Sequence, residues 1–161
     1  MMDLAAESGR DLTGLEQLKA LMASGRNAPI ADTLDFTLAE IEEGRVVFEG
    51  TPTLKVYNPI GAVHGGWAAT LLDSACGCAV HSRLLAEQAY TTLELKVAYH
   101  RAMTETTGLV RAEGTVISMG RRAAFAEAKL TDASGRLYAS ATSTLIVMDR
   151  QRRPDSSPAA G

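Results

Sequence analysis

One acidic residue stands out from an otherwise uncharged part of the chain. Asp73 is the only formally charged residue between Lys55 and Arg83, and Ala, Leu, Cys and Val surround it. Burying an unpaired carboxylate costs several kcal/mol unless hydrogen bonds satisfy it or it takes up a proton. Asp73 is therefore either a general base in a functional site, or a buried acid that caps a backbone group or pairs across an interface. The residue types leave both interpretations open.

A second feature is the sequence His64-Gly65-Gly66, where a glycine-containing loop leads into this apolar run. Backbone N–H groups at a helix start lack helical partners and carry the positive end of the helix dipole. A glycine lets a carbonyl oxygen approach these donors without meeting a Cβ. The segment fits an oxyanion hole, in which one donor contributes about 2.7–4 kcal/mol to acyl transfer. It equally fits a plain glycine turn with a histidine at the helix start.

Other polar groups also have two interpretations. Asn58 precedes Pro59 in the same loop, so it can shape a turn or orient a water molecule or a substrate carbonyl. Arg121 and Arg122 follow Gly120 at a predicted hairpin turn, where they are solvated charges or bind a phosphate. The residues alone favour the turn for Asn58 and solvation for the two arginines.

Cofactor sites are not indicated. Cys76 and Cys78 are two residues apart on a predicted helix, so they point in different directions and form no convincing zinc site with His81. No serine lies in a Gly-x-Ser-x-Gly elbow, and the sequence has no Walker A motif and no dinucleotide glycine fingerprint. We expect no metal and no other cofactor.

Two helices are predicted from apolar spacing. The first runs from Leu12 to Ala23 with one apolar stripe and stops at Gly25. The second begins at Trp67, after a loop over residues 56–66, and runs to about Ser82. It is apolar on nearly every side, which predicts that it is buried all round.

Six strands are predicted from alternation. The first begins at Phe36, a turn covers residues 42–44, and the second contains Val46 and Phe48. The other four are predicted over Thr91–Tyr99, Leu109–Ser118, Arg122–Leu130 and Leu137–Met148. In the first of these four, Leu93, Leu95, Val97 and Tyr99 alternate with Thr92, Glu94, Lys96 and Ala98, so the two sets are predicted to lie on opposite faces.

The order of elements predicts an α+β fold in which an antiparallel sheet of about six strands curls around one long central helix. One helix covers only one face of a small sheet, which favours pairing with a second subunit. We predict an N-terminal extension with a short helix over residues 1–28, the main domain over residues 29–148, and a disordered tail over residues 149–161.

Composition narrows the choice of partners. The chain has 161 residues, which fits one domain, and its formal net charge of −3 gives no reason to expect nucleic acid or an anionic membrane as a partner. No segment has the roughly 20 predominantly apolar residues of a membrane span, and the acidic N-terminus does not resemble a signal peptide. We therefore expect a cytoplasmic location.

The motifs taken together resemble a known family. The pattern from Asn58-Pro59 through Gly61 and His64-Gly65-Gly66 to Asp73 is similar to hot-dog-fold thioesterases, specifically the phenylacetic-acid-degradation (PaaI-like) type of acyl-CoA thioesterase. The similarity extends through Tyr90–Val97, Gly120-Arg121-Arg122 and Asp132–Tyr138, and covers roughly residues 29 to 148. Ala102, where many relatives have proline, and the large Trp67 beside the glycines depart from the family pattern.

This resemblance implies a function and site residues. Asp73 would be the general base, or alternatively the nucleophile, and the Gly65 N–H would polarise the thioester carbonyl. Asn58 and His64 would position water and carbonyl, and Thr92 would help to hold the water. Gly66, Trp67, Arg121 and Arg122 are added as candidate substrate-binding residues. The resemblance also implies hydrolysis of an acyl-CoA or aryl-CoA, without a cofactor, by a homodimer whose active sites lie at the interface and which pairs into a homotetramer.

The spacing of the two central groups gives an independent argument for a shared site. Gly65 and Asp73 are eight residues apart on one predicted helix, which separates them by about 12 Å. That distance is too long for both groups to act on one thioester. We therefore expect Gly65 of one subunit to share a site with Asp73 of a second subunit. Two other functions remain open on the same fold: a non-catalytic acyl-CoA sensor and a dehydratase acting on 3-hydroxyacyl thioesters.

Overall fold

The computed structural model describes residues 11–150, so residues 1–10 of the predicted N-terminal extension and residues 151–161 of the predicted tail lie outside this range. It contains the helices α1 (Gly14–Ala23), α2 (Pro29–Leu34) and α3 (Gly65–His81), and a short 3-10 turn over Leu54–Val56. Helix α1 begins with a capping box between Thr13 and Glu16. It ends before Gly25, whose φ of 67° is the left-handed conformation that glycine adopts readily. The two predicted helices are confirmed.

Six strands form one sheet. They are β1 (Phe36–Glu42), β2 (Arg45–Gly50), β3 (Gln88–Tyr99), β4 (Val110–Met119), β5 (Ala123–Asp132) and β6 (Leu137–Asp149). The spatial order is β1-β2-β4-β5-β6-β3, and every neighbouring pair is antiparallel. The order and approximate bounds agree with the predictions from alternation. Strand β3 has no partner on its outer side within the described chain, so its backbone forms a free edge.

Helix α3 is enclosed by the sheet on one side and contacts all six strands. Its buried residues, among them Leu71, Leu72 and Ala75, lie in one core cluster with buried side chains from β1, β2, β4, β5 and β6, and half-buried side chains of β3 pack against this cluster. The closest approach is to β4 at Gly114, where a Cβ would overlap the backbone of Ala75 and Cys76. This packing, a curved antiparallel sheet around one long helix, is the hot-dog fold that the resemblance implied.

One side of α3 is not covered by the sheet. Ala69, Thr70, Asp73, Ser74 and Cys78 are only half-buried, and we call them the open strip of α3. The prediction that this helix is buried all round is therefore wrong for the described chain. A single sheet can wrap only part of a helix surface, so the remaining side stays accessible.

Two details differ from the sequence prediction. Helix α2 begins at Pro29, a residue that suits the first turn of a helix, and it is not one of the two predicted helices. Strand β3 contains a bulge between Thr92 and Glu94, so Leu93 is an extra residue and 63% of its surface is exposed. The predicted single face for Leu93 and Leu95 is therefore wrong.

Helix α1 packs against the C-terminal end of α3. Gly14 N–H donates to Leu84 O at 3.0 Å, and a Cβ on Gly14 would overlap the carbonyl group of His81. His81 Nε2 lies 3.1 Å from Gln17 Oε1, which also accepts from Arg150 Nη2 at 3.1 Å. Burial, and then the Arg150 charge, lower the pKa of His81 to about 4, which keeps the ring neutral at pH 7. Leu18 of the same helix belongs to the core cluster.

Residues 11–150 include no helix with the length and apolar character needed to span a bilayer.

Because β4 contacts the α3 backbone at Gly114, we predict that one added methyl group there strongly destabilises the protein. Gly114→Ala should lower the free energy of unfolding by about 1–3 kcal/mol, because β4 must move away from the α3 backbone. Urea titration followed by circular dichroism measures this change. Gly120→Ala is the matched control, since its Cβ would meet nothing closer than Ala123 O at 3.6 Å. Equal stability of the two variants would contradict the prediction.

Candidate active site

At the start of α3, the N–H of the first residue, Gly65, is unpaired among the described residues. His64 is the N-cap residue, and its Nδ1 accepts from Gly66 N–H at 2.8 Å. Trp67 N–H donates to His64 O at 3.0 Å. Within residues 11–150 the Gly65 N–H donates no hydrogen bond. Because the neighbouring donors are occupied, Gly65 rather than Gly66 is the donor that can polarise a carbonyl oxygen at this helix end.

The hydrogen bond from Gly66 N–H also determines which ring nitrogen of His64 carries the proton. A ring nitrogen that accepts a hydrogen bond carries no proton, so the neutral imidazole has its proton on Nε2. The side chain is exposed. Its Nε2–H is therefore available to donate to a carbonyl oxygen or a water molecule beside Gly65.

The loop before α3 is held by a dense set of hydrogen bonds. Asn58 Oδ1 accepts from Ile60 N–H at 3.1 Å and from Ala62 N–H at 3.2 Å, which is an Asx turn. His64 N–H donates to Val56 O at 2.7 Å, and Val63 N–H donates to Met103 O at 3.0 Å. The side-chain oxygen of Asn58 thus has the structural role that the residues alone favoured, and only its Nδ2 remains for a second role.

Asp73 lies in the open strip and is bonded to Thr92. Thr92 Oγ1 donates to Asp73 Oδ1 at 3.2 Å, and both residues are half-buried. Thr92 pairs with the fully buried Leu145, so it faces the helix. With regular alternation it would lie on the face opposite to Leu95, away from α3. The bulge at Leu93 turns Thr92 toward Asp73, a common use of bulges beside functional groups.

Strand β3 runs along the open strip for its whole length. The Tyr99 hydroxyl donates to Gly65 O at 2.8 Å at one end of α3, Thr92 reaches Asp73 in the middle, and Tyr90 packs against Gly77 beyond it. Tyr90 and Tyr99 were not among the predicted site residues, because contacts between β3 and α3 are not visible in sequence spacing. The free edge of β3 and the open strip therefore lie side by side.

The predicted residues fall into two groups in one subunit. His64 and Gly65 lie at the first turn of α3, and Asp73 with Thr92 lies two turns further on. One continuous helix joins them, so they remain separated by about 12 Å. The structure does not bring the predicted oxyanion donor and the predicted base together within one chain.

Trp67, Arg121 and Arg122 lie outside both groups. Trp67 is 3% exposed, packs on Gly50 and donates from Nε1 to Leu34 O at 2.9 Å, so it belongs to the core. Arg121 and Arg122 are exposed at the β4–β5 turn and make no ion pair with the described residues. The strand register puts Arg122 two strands from β3, at the same end of the sheet as Thr92.

The cysteines lie in no cluster of potential metal ligands among the described residues. No group of three or more His, Cys, Asp or Glu side chains within residues 11–150 is arranged to hold a metal ion. Both cysteines are free thiols. Burial raises the pKa of Cys76 and of Cys78 to about 12, and the nearby Asp73 charge adds to the shift. They behave as small apolar residues of α3.

Comparison with known proteins agrees with this fold. A thioesterase family protein from Silicibacter pomeroyi superposes with a TM-score of 0.73 at 26% identity, covering 83% of this chain and 98% of that one. The E. coli PaaI protein from the phenylacetic acid degradation operon superposes with a TM-score of 0.72 at 19% identity, covering 81% and 92%. The architecture and these likenesses define the class: the chain is a hot-dog-fold protein.

The sequence comparisons are more specific. Residues 60–139 match the model of the thioesterase superfamily. A 1,4-dihydroxy-2-naphthoyl-CoA hydrolase from Listeria monocytogenes is 26% identical over 123 residues, which are 76% of this chain and 98% of the relative. The proofreading thioesterase EntH from Klebsiella pneumoniae is 29% identical over 127 residues, which are 79% and 88%. Within the hot-dog class, residues 60–139 of this chain are similar to the thioesterase superfamily, and the two relatives are named as a hydrolase and a thioesterase.

The raised thiol pKa values predict slow chemistry at both cysteines. At pH 8 a thiol with a pKa of about 12 has roughly one thousandth of the thiolate of a thiol with the ordinary value of 9. The native protein should therefore react with Ellman's reagent about 10³-fold more slowly than the protein unfolded in urea at the same pH. Reaction of either thiol in the native protein at the rate of the unfolded one would contradict this assignment.

Proposed function

We propose that this protein hydrolyses an acyl-CoA or aryl-CoA thioester to the free acid and CoA, as a PaaI-like thioesterase. The names of its sequence relatives support this activity, since both are thioester-cleaving enzymes. The observation that carries the proposal is that one helix holds both an unpaired donor, Gly65 N–H, and a half-buried carboxylate, Asp73. Both residues lie within the segment 60–139 that matches the thioesterase-superfamily model. The proposal includes a cytoplasmic location.

The reaction assigns one role to each group. Asp73 takes a proton from a water molecule, whose oxygen forms a bond to the thioester carbonyl carbon. The Gly65 N–H donates to the oxygen that becomes negatively charged, and the carbon–sulfur bond then breaks. The CoA thiolate leaves, and the proton held by Asp73 passes to it through solvent, which restores the Asp73 carboxylate. Thr92 holds Asp73 and the water, while His64 Nε2–H and Asn58 Nδ2 orient the carbonyl and the water. General-base catalysis of this kind contributes about 10²–10⁴-fold.

The two groups in this reaction come from different subunits. A separation of about 12 Å along α3 is too large for one carbonyl to touch Gly65 while Asp73 activates its water. A second subunit that pairs with the free edge of β3 would cover the open strip and bring its own His64-Gly65 turn to Asp73. The proposed enzyme is a homodimer with two shared sites, and two dimers form the homotetramer.

Three of the remaining predicted residues, Gly66, Arg121 and Arg122, are assigned to substrate binding in this proposal. Arg121 and Arg122 are exposed cations at the sheet end nearest Thr92, and guanidinium groups are suited to phosphates such as those of CoA. Gly66 keeps the helix start open to the acyl group, and Trp67 supports it from the core.

Removal of the base tests the mechanism. Asp73→Asn keeps the shape of the side chain but cannot accept the proton, so kcat should fall by about 10²–10⁴-fold with little change in KM. Both kinetic constants are measured from the release of CoA thiol over a panel of acyl-CoA and aryl-CoA substrates. Glu127→Gln, on the outer face of the sheet, is the control and should leave kcat unchanged. If Asp73→Asn is as fast as wild type, the assignment of Asp73 as the general base is refuted. If the wild-type protein binds acyl-CoA without hydrolysing it, the result favours a non-catalytic sensor.

Subunit mixing tests the shared site. Asp73→Asn and a variant of the other half-site, His64→Ala, should each have only a small fraction of the wild-type activity alone. A hybrid dimer of the two has one site with both substitutions and one with neither. Random mixing after dissociation should therefore restore about a quarter of the wild-type activity, since half the dimers are hybrids with one intact site each. No recovery in verified hybrids would show that each site belongs to one subunit.

A further inference from the structure

Tyr99 stands at the point where β3 meets the start of α3. Its ring lies against Gly65, where a Cβ would come within 2.9 Å of Tyr99 Cζ. Its hydroxyl donates to Gly65 O at 2.8 Å, and 56% of the residue is exposed. The absence of a Cβ on Gly65 therefore allows a tyrosine to reach the first peptide group of the helix.

That peptide group connects Tyr99 to His64. The carbonyl of Gly65 and the N–H of Gly66 belong to one peptide unit, and the N–H donates to His64 Nδ1 at 2.8 Å. A hydrogen bond to the carbonyl polarises the peptide and makes its N–H a stronger donor, as in other chains of hydrogen bonds. The three groups form a relay that runs from the Tyr99 hydroxyl through one peptide to the imidazole.

We propose that Tyr99 is a positioning residue that fixes His64 in the tautomer with its proton on Nε2. In this tautomer the ring presents a donor to the site, beside the Gly65 N–H. In the other tautomer Nδ1–H would face the Gly66 N–H, so that two donors would oppose each other and the Nε2 side would offer only an acceptor. The inference concerns the free protein, and its effect on turnover rests on the proposed function.

A single hydroxyl deletion tests the relay. Tyr99→Phe keeps the ring against Gly65 and removes only the donor. Protein labelled with ¹⁵N-histidine is studied at pH 8, above the ordinary imidazole pKa of about 6.5. Long-range ¹H–¹⁵N spectra then distinguish protonated from unprotonated ring nitrogens. The His64 signals, assigned with His64→Ala, should show the Nε2–H tautomer in wild type and a larger share of Nδ1–H in Tyr99→Phe.

Kinetics provide the second arm. If His64 orients the thioester carbonyl, Tyr99→Phe should lower kcat by about three- to ten-fold, the effect of one neutral hydrogen bond, with KM unchanged. Tyr138→Phe is the matched control, because its hydroxyl donates to Asp132 Oδ2 at 2.9 Å, next to the β5–β6 turn, and not to Gly65. It should change neither the His64 signals nor kcat.

The tautomer spectra and the kinetics together distinguish a failure of this inference from a failure of the proposed function. The proposal requires both changes, and the absence of either one in an active enzyme overturns it. If wild type hydrolyses none of the thioesters, the proposed function fails and the tautomer spectra alone decide whether Tyr99 controls His64. An unchanged tautomer share in Tyr99→Phe would then show that the relay has no influence.

Discussion

The contact between the backbones of α3 and β4 is the constraint on which the rest of the structure depends. Gly114 lacks a Cβ, so β4 lies directly against the middle of the helix at Ala75 and Cys76. The other strands follow β4 through the ladder of backbone hydrogen bonds and curve around the helix. Every side chain that β3 directs at α3 therefore has a fixed position along the helix axis.

This constraint also separates the chemistry into two places. The sheet covers one side of α3 and leaves a strip on which Asp73 is half-buried, while the unpaired Gly65 N–H lies at the helix end. Because both groups belong to one continuous helix, Asp73 and the Gly65 N–H of the same subunit cannot meet. The same geometry that stabilises the subunit therefore makes a single subunit incomplete for the proposed reaction, and the free edge of β3 lies where a second copy could complete it.

Much of the fold was predictable because its patterns are local. Alternation located all six strands, and the glycine and apolar content of residues 61–81 located α3. Asp73 and Gly65 could be singled out as candidates because a lone buried charge and an unpaired N–H group at a helix start each have a physical cost that is visible within a few residues. The bulge at Leu93 and the contact of Tyr99 with Gly65 could not, since they depend on pairing between segments that are far apart in the chain. Only the fold brings these segments into register.

The junction of Gln17 with Arg150 and His81 has a further consequence. Residues 17 and 150 are hydrogen-bonded although 133 positions separate them, so both ends of the described chain emerge beside the last turn of α3. The helix has 17 residues and is about 25 Å long, with the His64-Gly65 turn at its opposite end. A fusion partner or surface tether joined to the described chain at either end would thus leave it beside the last turn of α3, at the opposite end of this helix from the His64-Gly65 turn.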